Sequence, residues 1–205
     1  GGYDALHLAP RDRKADYLYY TDGESPRGWK KIEMPTGDRK ASRFYKINSH
    51  LLPPHDISIY IDACYMIKRP LSELAIFLGD YDIAIAKHKM DKCVYVHANR
   101  VLKLKLDDPN IVKKQIKRYQ REGLPFNFGL TENCIIIRRN TEQVKKLNEM
   151  WWAEYQKGSQ RDQLSLPYCL WKTKIELATL PFSARKNRWL ENWANHLKSR
   201  TYETR

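Results

Sequence analysis

Strand-like and helix-like stretches alternate along this chain from about residue 16 to residue 180, an order that predicts an α/β layer fold. Residues 57–61, Ile-Ser-Ile-Tyr-Ile, alternate and are rich in β-branched side chains, which specifies a strand. Residues 16–20, 29–34, 82–86, 134–138 and 175–180 read as further strands. Between them, residues 38–51 place Phe44, Ile47 and Leu51 at helical spacing, and Pro53-Pro54 ends that helix. Residues 70–78 form a helix opened by Pro70, and residues 93–106 and 109–122 form two more, the second closed by Gly123 and Pro125. Residues 141–157 carry Val144, Leu147, Met150 and Trp151 on one face; Gly158-Ser159 interrupts the run, and another helix covers residues 160–174. A last helix is expected over 184–200, with Trp189, Trp193 and Leu197 on one side.

A length of 205 residues suits one domain. No stretch has the composition of a flexible linker. The expected layout is an α/β core over about 1–180 and a helical appendage over 181–205. Such a chain buries enough surface to stand without disulfides or a structural metal. The mean hydropathy of −0.70 reflects a charged surface, because 42% hydrophobic residues are enough for a core. No apolar run approaches the ~20 residues of a membrane span. The opening Gly-Gly-Tyr-Asp lacks an initiator Met and a signal-peptide layout, so the sequence is expected to start inside a longer chain. Cys64, Cys93, Cys134 and Cys169 form no Cys-x-x-Cys pair, and reduced thiols in a cytoplasmic protein are expected.

The net charge of +13 asks for an anionic partner: nucleic acid, an acidic membrane face or a nucleotide diphosphate. Residues 103–121 hold seven Lys or Arg with Tyr119 as their one aromatic, a solvated helix face and not an RNA platform.

In open α/β sheets, ligands bind beyond the carboxyl ends of the strands. Asp62 follows the strand 57–61 directly, where a divalent cation and a phosphate could meet it, a turn carboxylate being the plainer reading. Asp80 and Asp82 precede a strand and belong at the opposite end. Lys87 and His88 end the next strand and are expected in the same crevice, able to hold a diphosphate or to complete a metal shell. Arg43 and Lys46 share a helix face and reach phosphates from the side, or form a solvated basic face. Arg161, Asp162 and Gln163 stand at a break between helices; Asp162 is either a capping carboxylate or a general base.

Gly1-Gly-Tyr-Asp4, Tyr20-Thr-Asp22, Gly28-Trp29, Ala41-Ser-Arg-Phe-Tyr-Lys46 with His50, Ile59-Tyr-Ile-Asp-Ala63 and Ala86-Lys-His88 occur in that order. Gly123-Leu-Pro125, Gly129-Leu130, Ile137-Arg-Arg139, Trp151-Trp152 and Ser159-Gln-Arg-Asp-Gln163 follow. Together they resemble a glycosyltransferase-like family with bacterial and viral members and plant probable hexosyltransferases linked to mucilage polysaccharide.

The resemblance implies a GT-A type fold with a mixed central sheet. It also implies a Mn²⁺ (or Mg²⁺) ion, a UDP-sugar donor and a glycan or other hydroxyl acceptor. Its metal-binding Asp-x-Asp falls on Asp62-Ala63-Cys64, with Cys at the second position. It places Gly2, Tyr3, Asp4, Thr21 and Asp22 around the nucleoside, and Arg43, Lys46, Lys87 and His88 at the diphosphate. Asp162 goes to the reacting centre, with Arg161 and Gln163 at the acceptor. Members usually carry a strand just before the Gly-Gly, so the resemblance implies that a first strand is missing here, and many carry Glu near His97. A cytoplasmic location follows, that of the host for a viral member, or the periphery of a membrane. The competing readings are a metal-dependent nuclease built on Asp62, Glu73 and Lys87, and a basic nucleic-acid-binding module.

Overall fold

The computed structural model describes residues 7–34 and 39–192. Its central sheet runs in the order β3-β6-β5-β7, formed by β3 (Ile57–Ile61), β5 (Ile83–Lys87), β6 (Thr131–Arg139) and β7 (Ala178–Thr179). β6 is antiparallel to both β3 and β5, and β5 is parallel to β7. The carboxyl ends of β3, β5 and β7 therefore share one edge with the beginning of β6. That edge holds Asp62, Lys87 and His88, as the strand-end rule requires.

Both sheet faces are covered, which explains the nearly unbroken apolar character of the inner strands. Ile83, Ile85 and Ile136 point to one side, into a core shared with α2 (Val94–Lys103), α3 (Pro109–Arg121), α4 (Glu142–Lys157) and α5 (Asp162–Thr173). Ala84, Ala86, Ile135 and Ile137 point to the other, against a 3₁₀ helix (Leu71–Leu78) and a ribbon of β4 (Tyr65–Ile67) paired with β8 (Leu190–Asn192). The helix starts obey local chemistry. Asp108 accepts from the Asn110 and Ile111 N–H groups ahead of α3, and Thr141 accepts from that of Val144 ahead of α4. Gly123 closes α3 at φ 89°. Among the described residues no helix is long and apolar enough to cross a membrane.

Two expected elements change. Residues 71–78 wind as a 3₁₀ helix, not an α-helix. The C-terminal helix is absent over 184–192, where the chain turns and forms β8. Asn187 accounts for this: its Nδ2 donates to the Ser183 and Ala184 carbonyls, and its Oδ1 accepts from the Trp189 and Leu190 N–H groups. These side-chain bonds replace the helical ladder. Trp189 then packs on Phe77 and Phe182. Trp193 and Leu197 lie outside the described residues, as do Gly2, Tyr3 and Asp4.

Candidate active site

α1 (Arg39–Ile47) carries Arg43 and Lys46 toward the carboxyl edge. Arg138 of β6 anchors the end of this helix: it donates to the Ile47 and Lys46 carbonyls at 2.9 and 2.8 Å and to Asn148 Oδ1 at 3.1 Å. Burial pushes its guanidinium down to about 9. Carbonyls at a helix C-terminus are suitable partners for such a cation.

The Lys46 side chain is only 2% exposed, and its ammonium stands 2.9 Å from Asp162 Oδ2 and 3.4 Å from Asp62 Oδ1. It also lies 5.0 Å from the centre of the Tyr60 ring. The Tyr60 hydroxyl donates to Asp62 Oδ1 at 2.7 Å. Burial and the Asp62 charge hold that phenol protonated, well above its ordinary range. Arg43 Nε is 3.7 Å from Asp162 Oδ1. A register shift between Ile85 and Ala86 frees Asn133 from pairing with β5, and its Nδ2 stands 3.4 Å from Asp162 Oδ2.

Asp162 is the first residue of α5, and the cap position belongs to Arg161, whose side chain makes no capping bond. The preceding turn is fixed from outside. Ser159 N–H donates to Gln115 Oε1, while Ser159 Oγ and Gln160 N–H donate to Asp107 Oδ2. Burial alone would raise the Asp162 pKa; the Lys46 and Arg43 charges outweigh it and bring it down to about 2. The outcome is a patch of two cations facing two carboxylates, with Lys46 and Asp162 buried and Arg43 and Asp62 partly exposed.

Other expected residues take separate places. Thr21, at the end of β1 (Leu18–Thr21), accepts from Gly23 N–H, and Asp22 is exposed beside it. β1, paired with β2 (Lys30–Glu33), approaches α1 through Tyr20, whose ring lies 4.3 Å from that of Tyr45. Ala63 and Cys64 form the turn after Asp62, closed by the Tyr65 N–H to Asp62 carbonyl bond. Lys87 is exposed at the end of β5. Gln163 Nε2 donates to the Thr131 carbonyl, tying α5 to β6. Glu73 is exposed on the 3₁₀ helix that covers the other sheet face, where it accepts from the Trp189 indole N–H, so the nuclease trio does not share the strand-end edge of Asp62 and Lys87.

His88 joins a second cluster. Its Nδ1 accepts from the Asp91 N–H at 2.9 Å, and its ring lies 5.0 Å from that of His97. His97 Nδ1 is 2.8 Å from Asp91 Oδ2, and Arg100 donates to both Asp91 oxygens at 2.8 and 2.7 Å. Arg100 outweighs burial to bring the Asp91 carboxyl down to about 2, while burial lowers the pKa of both imidazoles and keeps them neutral. Sequence reasoning missed Asp91, His97, Tyr60, Asn133 and Arg138 as site residues. The spacing of His88, Asp91 and His97, ahead of and inside one short helix, was the available signal for the second cluster.

The profile of the TOD1/MUCI70 glycosyltransferase-like domain matches residues 33–196, about four-fifths of the chain. The chain belongs to this family. A comparison with curated proteins gives no match. The matched TOD1/MUCI70 segment contains α1, Asp62, the His88 cluster and Asp162, while Thr21 and Asp22 precede it. Membership supports glycosyl transfer as the general activity, with a sugar donor and an acceptor as partners.

The Mn²⁺ or Mg²⁺ ion expected at Asp62 does not fit its surroundings. Hard dications need several oxygen ligands. Asp62 is engaged by Lys46 and Tyr60, and a thiol stands at the second motif position. Among the described residues, the group of three His, Cys, Asp or Glu side chains drawn together closely enough for an ion is His88, Asp91 and His97, without Asp62.

Proposed function

We propose that this TOD1/MUCI70 domain transfers a hexose from a nucleotide-diphosphate sugar, UDP-sugar being the first candidate, to a hydroxyl of a glycan acceptor. The observation that carries the reading is Lys46, a nearly fully buried ammonium shared by Asp62 and Asp162 at the carboxyl edge of the sheet. A buried lysine is costly unless paired, and this one is paired where α/β folds receive phosphates.

In the proposed reaction, Lys46 and Arg43 meet the diphosphate as negative charge develops on it. Preformed cations of this kind are usually the largest single catalytic term. The acceptor oxygen forms a bond to the anomeric carbon as the bond from that carbon to the diphosphate breaks. Asp162 takes the acceptor's proton. Near a pKa of 2 it is a weak proton acceptor. A diphosphate that draws Lys46 and Arg43 toward itself removes the charges that depress Asp162, so donor binding prepares the base. Asp62, itself hydrogen-bonded by the Tyr60 hydroxyl, remains the carboxylate partner of Lys46 as it turns.

The test is Asp162→Asn. The variant is expected to bind a nucleoside diphosphate as wild type does and to lose transfer by about 10²- to 10⁴-fold. Full transfer by this variant would leave Asp162 as a partner of Lys46 alone. The donor is found by thermal stabilisation across nucleoside diphosphates, where a ligand at ~100 times its Kd adds about 2.7 kcal/mol.

A further inference from the structure

The cluster of half-buried His88 with buried Asp91 and His97 has no part in the proposed transfer. It combines two imidazoles and one carboxylate, a donor set suited to borderline transition metals and poorly suited to hard dications. One candidate ligand atom from each residue lies within 4.8 Å of the others. Ligands about 2.1 Å from a tetrahedral ion stand about 3.4 Å apart, so side-chain shifts of up to about 1.4 Å close the group. Asp91 is 2% exposed and His97 5%.

His97 Nδ1 and Asp91 Oδ2 already stand 2.8 Å apart, so an ion would take the place of the proton that those two atoms share. That ligation uses Nδ1 and not Nε2, which is buried and finds no hydrogen-bond partner among the described residues. Arg100 is the element a cation would have to displace. It neutralises Asp91 from the surface, with 38% of its side chain exposed, and can turn outward.

We propose that His88, Asp91 and His97 form a site for a transition-metal dication, of which Zn²⁺ is the probe, separate from the Lys46 patch and from Asp62. The ion would join the end of β5 to α2 and hold the loop between them at the edge where substrates arrive. Neither the depressed Asp162 nor the donor cations take part in it.

The experiment is calorimetry of ZnCl₂ into the full chain, together with long-range ¹H–¹⁵N spectra of the histidine rings. One Zn²⁺ per chain is expected at micromolar concentration, moving the rings of His88 and His97 among the six histidines of the sequence. His97→Gln and Asp91→Asn are each expected to weaken binding at least about tenfold, since loss of a partner outside the ligand set already costs that much, and Cys64→Ser to leave it unchanged. Wild-type protein that takes up no Zn²⁺, or whose Zn²⁺ moves other histidine rings instead, overturns the proposal. The wild-type spectra decide this even if a variant fails to fold. Donor binding is measured separately, so the failure of this site leaves the glycosyl-transfer reading standing.

Discussion

The Lys46 patch and the His88 cluster lie at the same edge of one sheet and are built in opposite ways. Lys46, Asp62 and Asp162 come from α1, the end of β3 and the start of α5 and meet only through the tertiary fold, whereas His88, Asp91 and His97 occupy ten consecutive residues. The first balances two full positive charges against two carboxylates. The second balances one carboxylate against a surface guanidinium and leaves its two imidazoles neutral. An anion can therefore draw cations out of the first patch, and a cation can find lone pairs in the second. The difference separates the diphosphate chemistry proposed for the first from the metal chemistry proposed for the second.

The largest expected effect is that of Lys46→Met. It strips Asp162 of its closest cation in a buried setting and should destabilise the fold by about 3–5 kcal/mol, measured by urea unfolding. His88→Ala should cost clearly less, since it removes a half-buried neutral ring. Equal costs would mean that the two clusters do not differ in the way described. Gly158→Ala comes next. An added Cβ would lie 2.6 Å from Gln115 Cδ, the side chain that holds the Ser159 N–H, so the turn aiming Asp162 should loosen at a cost of about 1–3 kcal/mol.

Acid should separate the imidazoles of the second cluster from the carboxylates of both. His88 and His97 have lowered pKa values in the fold, so their contribution is complete above the ordinary histidine value near 6.5 and is lost as pH falls below it. Asp162 and Asp91 are both lowered from 3.8 to about 2, so their contributions, about 2 kcal/mol for Asp162, hold above pH 4 and disappear only as pH falls toward 2. Urea unfolding at pH 7, 5 and 3 should thus show the histidine loss first. His97→Gln should flatten the step from pH 7 to pH 5 and leave the more acidic step intact; an unchanged first step would assign it elsewhere.

The distributed patch was the more legible of the two. The alternation of residues 57–61 located β3, and the rule for strand ends brought Asp62, Lys87 and His88 to one edge, because β3 and β5 run parallel on either side of β6. Helical spacing put Arg43 beside Lys46. The local cluster was missed because its geometry depends on Asp91 meeting His97 from the loop after β5, which periodicity does not encode. Arg138 read as part of an Ile-Arg-Arg motif, and only the packing of α1 on β6 turns it into the anchor of the Lys46 helix. The C-terminal helix failed for a local reason, the Asn187 turn, and for a distant one, the pairing of β8 with β4.

The central claim is that Arg43 and Lys46 are arranged for a diphosphate. Calorimetry of UDP into wild-type protein and Arg43→Gln, repeated with a chelator, tests it most directly. The account predicts binding to wild type that survives the chelator and weakens at least about tenfold in Arg43→Gln, as loss of a charge-assisted contact requires. Wild-type protein that binds no nucleoside diphosphate but takes up short RNA with a steep salt dependence would contradict it.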